Sequence, residues 1–282
     1  MKVITANSAG FCFGVKRAVD SVYEELQKGV KPIYTYGPII HNEQVVSDLE
    51  EKGVIVINDV NDFKSINEGT IIIRSHGVSK EVNDIIYNTN ANVIDATCPF
   101  VKKIHKIVKE ESEKGWIIII VGNDNHPEVE GIKGWVNGKS FVVNSKEQID
   151  ELNFDFNNKY CIVSQTTFNH NKFNNLVEII EKKGYYINVV NTICNATHLR
   201  QVEAKDISGK VDAMIVIGGK HSSNTQKLYD ICKEECENTY HIQTINDLDF
   251  NKLQSLESIG ITAGASTPKN IIEEVHTECQ KI

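Results

Sequence analysis

Short runs of β-branched and other apolar residues recur along the whole chain, and they limit its fold more than any other feature. They include Gly53-Val54-Ile55-Val56-Ile57, Thr70-Ile71-Ile72-Ile73, Asn92-Val93-Ile94-Asp95 and Ile117 to Val121. Further along come Ser140-Phe141-Val142-Val143, Tyr160-Cys161-Ile162-Val163, Tyr186 to Val190, Ala213 to Ile217 and Ile259 to Thr262. Near-continuous apolar runs of this length suit strands buried on both faces, as in parallel sheets. Between them apolar residues recur at helical spacing. Val15, Ala18, Val19, Val22 and Leu26 precede Gly29; Val101, Ile104, Ile107 and Val108 precede Gly115; Leu176, Ile179 and Ile180 precede Gly184. Strands alternating with amphipathic helices throughout predict an α/β fold with parallel sheets.

Composition narrows the class further. A length of 282 residues suits about two domains, or three small ones. The net charge of −8 argues against wrapping a nucleic-acid backbone, which needs a basic surface. The longest apolar run, Trp116 to Val121, is far shorter than the roughly 20 residues of a membrane helix. The first residues, Met1 to Ser8, lack the apolar core of a signal peptide. A cytoplasmic setting follows, in which the seven cysteines stay reduced. Thiols used for metal binding or catalysis are then of more interest than disulfides.

A weak internal repeat places three of those cysteines alike. In each copy a strand leads to a cysteine and a helix begins: Ala9 to Lys16 around Cys12, Asp95 to Lys102 around Cys98, and Asn191 to Thr197 around Cys194. The spacing predicts three small α/β units, at 1–96, 97–193 and 194–282. Pro99 suits the first turn of its helix, where its missing N–H costs nothing. The carboxyl ends of parallel strands are where such sheets bind ligands, and a helix N-terminus favours a thiolate. Three sulfurs fall short of a four-ligand structural zinc site and of a four-cysteine cluster. A 4Fe–4S cluster on three thiolates would leave one iron open to substrate. A three-cysteine zinc hydrolase, an iron–sulfur redox sensor and simple buried cysteines remain alternatives. Cys161, Cys232, Cys236 and Cys279 read as packing residues.

Polar segments follow the strands. They are Tyr36 to Asn42, Arg74 to Val78, Gly122 to Glu128, Ser164 to Thr167, Gly218 to Asn224 and Ala263 to Pro268. Ser222, Ser223 and Ser266 read as helix N-caps or as anion contacts, since hydroxyls and N–H groups at helix N-termini bind phosphate. Glu128 reads as a helix-start carboxylate or as a proton donor. Common nucleotide signatures are missing from the sequence: Gly134 to Ser140 approaches a phosphate-binding loop, but its glycine spacing is short and an expected strand follows it.

Taken in order, these segments resemble the 4-hydroxy-3-methylbut-2-enyl diphosphate reductase family, also called IspH or LytB. The resemblance is carried by Ala9 to Val15, Gly37-Pro38-Ile39-Ile40-His41-Asn42, Arg74-Ser75-His76-Gly77-Val78, Asp95-Ala96-Thr97-Cys98-Pro99, His126-Pro127-Glu128-Val129, Ser164-Gln165-Thr166-Thr167, Thr192-Ile193-Cys194, Ser222-Ser223-Asn224 and Ala263 to Pro268. It implies a trefoil-like arrangement of three units with parallel sheets around a central 4Fe–4S cluster. Cys12, Cys98 and Cys194 would hold that cluster and leave one iron open. His41, His76, His126, Ser222, Ser223, Asn224 and Ser266 would bind the substrate diphosphate. Glu128 would handle protons, with Thr166 beside the substrate hydroxyl. The implied reaction removes an allylic hydroxyl with two electrons and two protons. It yields isopentenyl and dimethylallyl diphosphate, the last step of the non-mevalonate isoprenoid route, with a ferredoxin or flavodoxin type donor. Lys220 and His221 depart from the family, which often has a small or amide residue at the second of these positions.

Overall fold

The β-branched runs form strands that the computed structural model places in three parallel sheets. The central runs, such as Thr70–Ile73 and Ala213–Ile217, are buried on both faces as expected, whereas the edge runs Asn92–Asp95 and Tyr186–Val189 are partly exposed. The structure describes residues 1–152 and 154–282. The chain begins β1 (Lys2–Thr5), α1 (Phe13–Gln27), β2 (Ile33–Tyr36), α2 (Glu43–Glu51), β3 (Val54–Ile57), β4 (Thr70–Ile73), α3 (Lys80–Tyr87) and β5 (Asn92–Asp95). It continues α4 (Pro99–Glu113), β6 (Ile117–Val121), α5 (Pro127–Lys133), β7 (Ser140–Val143), α6 (Lys146–Glu151), β8 (Lys159–Ser164), α7 (His170–Lys182) and β9 (Tyr186–Val189). It closes with α8 (Asn195–Ser208), β10 (Ala213–Ile217), α9 (Ser223–Glu235), β11 (Thr239–Ile242), β12 (Ser258–Ala263) and α10 (Lys269–Gln280). The α/β class with parallel sheets is thus as the sequence predicts.

Each sheet has four parallel strands. Their orders are β3-β2-β4-β5, β7-β6-β8-β9 and β1-β12-β10-β11. Read from the other edge, the last is β11-β10-β12-β1, so all three share one topology. In the third, β1 takes the place that β5 and β9 take in the others. The first strand therefore joins the last sheet, Lys2 pairing with Ser258 and Thr5 with Ile261, and not the remainder of 1–96. Two compact units result. One comprises residues 1–16, 41–47 and 194–282; the other comprises 17–40 and 48–193.

The alternation of side chains along a strand divides each core. On β10, Ile215 and Ile217 face the cluster containing Val275 of α10, while Met214 and Val216 face Ala204 of α8 and Leu228 of α9. On β6, Ile119 and Val121 face Phe173 and Leu176 of α7, while Ile118 and Ile120 face Ile104 of α4 and Ile132 of α5. The strands missing from the apolar runs are β1, β2 and β11. β1 and β11 are edge strands whose partly exposed residues break the apolar pattern. In β2, Tyr34 and Tyr36 are partly exposed while Ile33 and Thr35 are buried, so it alternates and makes no apolar run.

Open α/β sheets bind ligands beyond the carboxyl ends of their strands, where the strand order reverses. Here the reversals lie between β2 and β4, β6 and β8, and β10 and β12. The chain leaves those strands in the segments 37–42 and 74–78, 122–128 and 164–167, and 218–224 and 264–268. Those six segments carry every predicted site residue except the cysteines. The cysteines follow the fourth strand of each sheet. They do so after loops of unequal length: β1 ends at Thr5, β5 at Asp95 and β9 at Val189. The expected direct run from strand to cysteine is thus interrupted at each site.

Candidate functional site

Cys12, Cys98 and Cys194 occupy the same helical position. Each carbonyl accepts the first bond of its helix: Lys16 N–H to Cys12 at 2.9 Å, Lys102 to Cys98 at 3.0 Å, and His198 to Cys194 at 3.1 Å. Cys98 and Cys194 are the N-caps of their helices, and first-turn N–H groups of α8 face the Cys194 sulfur. All three are half-buried, whereas Cys161, Cys232, Cys236 and Cys279 are buried and none is in a disulfide. Burial pushes the thiols of Cys161 to about 11, Cys232 to about 12 and Cys279 to about 11. Those three are inert thiols at neutral pH. Burial also raises Cys194, but N–H groups of Ala196 and Thr197 and the charge of Arg200 act against it.

Arg200 explains why that charge is present. It is only 5% exposed. Its Nη2 donates to the Gly10 carbonyl at 2.6 Å and its Nη1 to Ala196 at 3.1 Å. It thereby ties the segment of Cys12 to the helix of Cys194. Its Nε is buried without a partner among the described residues. Burial makes the charge costly, and Cys12 and Cys194 favour it. A metal bound at Cys12 and Cys194 would hold their sulfurs as thiolates, which would offset this buried charge. In the other unit Arg17 donates through Nη2 to the Thr97 carbonyl at 2.5 Å, next to Cys98. Neither arginine was found from the sequence. A position five or six residues past a helix-start cysteine carries no motif, and Arg200 matters only because the fold returns Gly10 to it.

In the first unit the loops after β10 and β12 meet the segment that enters α2. Ser266 Oγ donates to the His41 carbonyl at 2.9 Å, and Asn42 Nδ2 donates to the Ser266 carbonyl at 2.9 Å. Gly219 leaves room for the same segment: a Cβ there would lie 3.0 Å from the His41 carbonyl oxygen. Ser222 caps α9, its Oγ accepting from Thr225 N–H at 3.3 Å, and Ser223 opens the helix. Asn224 is 4% exposed and its Nδ2 has no partner among the described residues. An amide donor in that position beside a helix N-terminus is suited to an anion. Ser266 does not cap α10 as expected, since Pro268 holds that position; its hydroxyl secures His41. Asn42 was not singled out from the sequence, yet it joins His41 to Ser266.

In the second unit His76 and His126 stand together, ring centroids 5.5 Å apart and edge to face. Cys98 lies near the same loop, its N–H donating to Ser75 at 3.0 Å. His126 caps α5 by accepting at Nδ1 from Glu128 N–H, 3.1 Å away. The neutral ring therefore carries its proton on Nε2, where it is a donor. Glu128 is 2% exposed. Its Oε1 accepts from Thr166 N–H at 2.6 Å and its Oε2 from Thr166 Oγ1 at 2.7 Å. Burial raises its carboxyl from 4.5 to about 7, against the lowering effect of the two Thr166 bonds. A buried carboxyl poised near neutrality can give and take a proton. Gln165 supports this loop, accepting from Asn123 N–H at 3.2 Å and donating to Thr167 at 3.1 Å.

The chain matches the family model described as LytB protein over residues 3–280. The 4-hydroxy-3-methylbut-2-enyl diphosphate reductase of Caldanaerobacter subterraneus subsp. tengcongensis is 50% identical over 276 residues, covering 98% of this chain and 95% of that protein. The protein of the same name from Clostridioides difficile is 45% identical, covering 98% of each. Among solved structures, the E-1-hydroxy-2-methyl-but-2-enyl-4-diphosphate reductase from Plasmodium falciparum superposes with a TM-score of 0.93 at 33% identity. It spans 98% of this chain and 87% of that one. A structure of (E)-4-hydroxy-3-methyl-but-2-enyl diphosphate reductase, described as the terminal enzyme of the non-mevalonate pathway, gives 0.72 at 44% identity over the whole of both chains.

Proposed function

This chain belongs to the LytB protein family, and we infer that it is a 4-hydroxy-3-methylbut-2-enyl diphosphate reductase. It removes the allylic hydroxyl of its substrate as water, giving isopentenyl and dimethylallyl diphosphate at the end of the non-mevalonate isoprenoid pathway. The observation that carries the chemistry is the placing of Cys12, Cys98 and Cys194, all half-buried, at equivalent helix starts. The buried charge of Arg200 supports an anionic centre at Cys12 and Cys194. The three cysteines are proposed to hold one 4Fe–4S cluster with an open iron. When bound, that cluster supplies the electrons and a Lewis-acidic iron toward the hydroxyl oxygen.

The chain's own residues bind, orient and move protons. His41, Ser222, Ser223, Asn224 and Ser266 are proposed to bind the diphosphate, as are His76 and His126. Holding that distant end lets binding energy position the reacting end. His126 offers Nε2–H, and Asn224 its buried amide. Glu128 is proposed to deliver the proton that leaves with the hydroxyl, and Thr166 to orient both, since its hydroxyl already bonds Oε2. The electron donor is proposed to be a ferredoxin or flavodoxin type carrier, in the cytoplasm where the thiols remain reduced. No helix among the described residues is long and apolar enough to cross a membrane. The division at 1–96, 97–193 and 194–282 is kept as a proposal for three repeated units, supported by the shared strand order.

Anaerobic purification with iron and sulfide counted per chain, followed by turnover of the allylic diphosphate, tests this reading. About four of each and reductive loss of the hydroxyl are expected. Zinc without sulfide would favour a hydrolase instead.

A further inference from the structure

We propose that His105 and Trp135 are positioning residues that hold His76 and His126 against each other; this rests on the assignment of those two histidines to diphosphate binding. His76 follows β4 and His126 follows β6, and these strands belong to different sheets. Among the described residues no strand pairing joins those sheets, and side-chain contacts link the two loops.

His105 lies on α4, the helix that Cys98 begins. It is 6% exposed, and its ring stacks on Trp135 with centroids 5.4 Å apart and planes inclined by 18°. Trp135, just past α5, donates from Nε1 to the Val78 carbonyl at 2.9 Å. The loop of His76 is therefore tied to the end of the helix that His126 caps. Gly77 faces the imidazole. Its φ is +70°, and a Cβ there would stand 2.7 Å from His105 Cε1 and 2.9 Å from Thr97 Cγ2. On the other side a Cβ at Gly131 of α5 would stand 3.5 Å from His105 Nε2. The ring thus fills the space where α4, the His76 loop and α5 meet. Burial pushes the imidazole down to about 4, so a neutral ring occupies this joint at working pH.

The test uses His105→Ala, His105→Phe and Trp135→Phe in the cluster-loaded enzyme. Misplacing a binding group by about 1 Å can cost up to about 100-fold. His105→Ala and Trp135→Phe are expected to raise KM for the allylic diphosphate at least about tenfold, with kcat within about threefold. His105→Phe, which refills the stack, should restore KM. A crystal structure of Trp135→Phe should show the two histidine rings further apart than 5.5 Å. An unchanged KM in both His105→Ala and Trp135→Phe, with only the melting temperature lowered, would overturn the proposal and leave the pair as packing. If the wild type fails to turn over the allylic diphosphate, the functional reading falls, while the ring separation in Trp135→Phe still decides the joint.

Discussion

Replacing Glu128 by Gln should make the protein more stable at alkaline pH while removing its activity. The carboxyl is raised from 4.5 to about 7, chiefly by burial. The unfolded chain releases this proton first, near pH 4.5. Between that pH and 7 the folded state holds a proton that the unfolded state has lost, so stability falls as pH rises through the window. At about 1.4 kcal/mol per pK unit the loss above pH 7 comes to about 3 kcal/mol. Unfolding entropy near 2 cal/mol/K per residue makes this about 5 °C for a chain of this size. Gln resembles the protonated acid: its oxygen can accept from Thr166 N–H while its amide donates to Thr166 Oγ1. It cannot titrate. Melting temperatures of the cluster-loaded wild type and variant, measured anaerobically from pH 5 to 8.5, should therefore be close at pH 5 and diverge by about 5 °C in the variant's favour at pH 8.5. Turnover should fall by about 10²–10⁴-fold. A melting difference that stays constant within about 1 °C across this range would refute a buried, raised carboxyl. Full turnover would return Glu128 to the role of a helix-start residue.

Serine at Cys12, Cys98 or Cys194 should strip most of the iron and the activity, whereas serine at Cys161, Cys232, Cys236 or Cys279 should spare the iron; metal analysis of the purified variants decides. Arg200→Lys should destabilise the protein by about 1–3 kcal/mol, because one ammonium cannot reach both the Gly10 and Ala196 carbonyls and one is left unpaired; an unchanged urea midpoint would contradict the bridging role. Asn224→Ala should weaken competitive inhibition by pyrophosphate by about 1–3 kcal/mol, with the cluster absorbance retained. Ser222→Ala should do the same and also lose about 1 kcal/mol of stability with its helix cap; equal inhibition of both variants and wild type would place the anion elsewhere.

The candidate site was legible as a set of residues more than as an arrangement. Glu128 stood out by its place after a strand and by the family resemblance. That it is 2% exposed and held by two bonds from Thr166 depends on β6 and β8 being neighbours. Asn42, Arg200, His105 and Trp135 escaped the sequence reading because each acts on a partner far along the chain. Asn42 reaches Ser266 and Arg200 reaches Gly10, contacts that no local spacing encodes. Serine near a helix start usually caps it, but the Ser266 hydroxyl secures the His41 carbonyl instead.

By itself the sequence determined the α/β class and the three cysteine-led helices, since apolar periodicity and helix-start chemistry act over a few residues. It also determined the polar segments at the strand ends, because a chain leaving a buried parallel strand must satisfy its backbone near water. The tertiary structure alone decided that β1 completes the sheet of β10, β11 and β12, and so which unit carries Cys12. It alone decided that Glu128 is buried enough to titrate near 7. Strand pairing and desolvation depend on groups brought close only when distant segments fold together, and pairs separated by tens or hundreds of residues leave no periodic signal in a single chain.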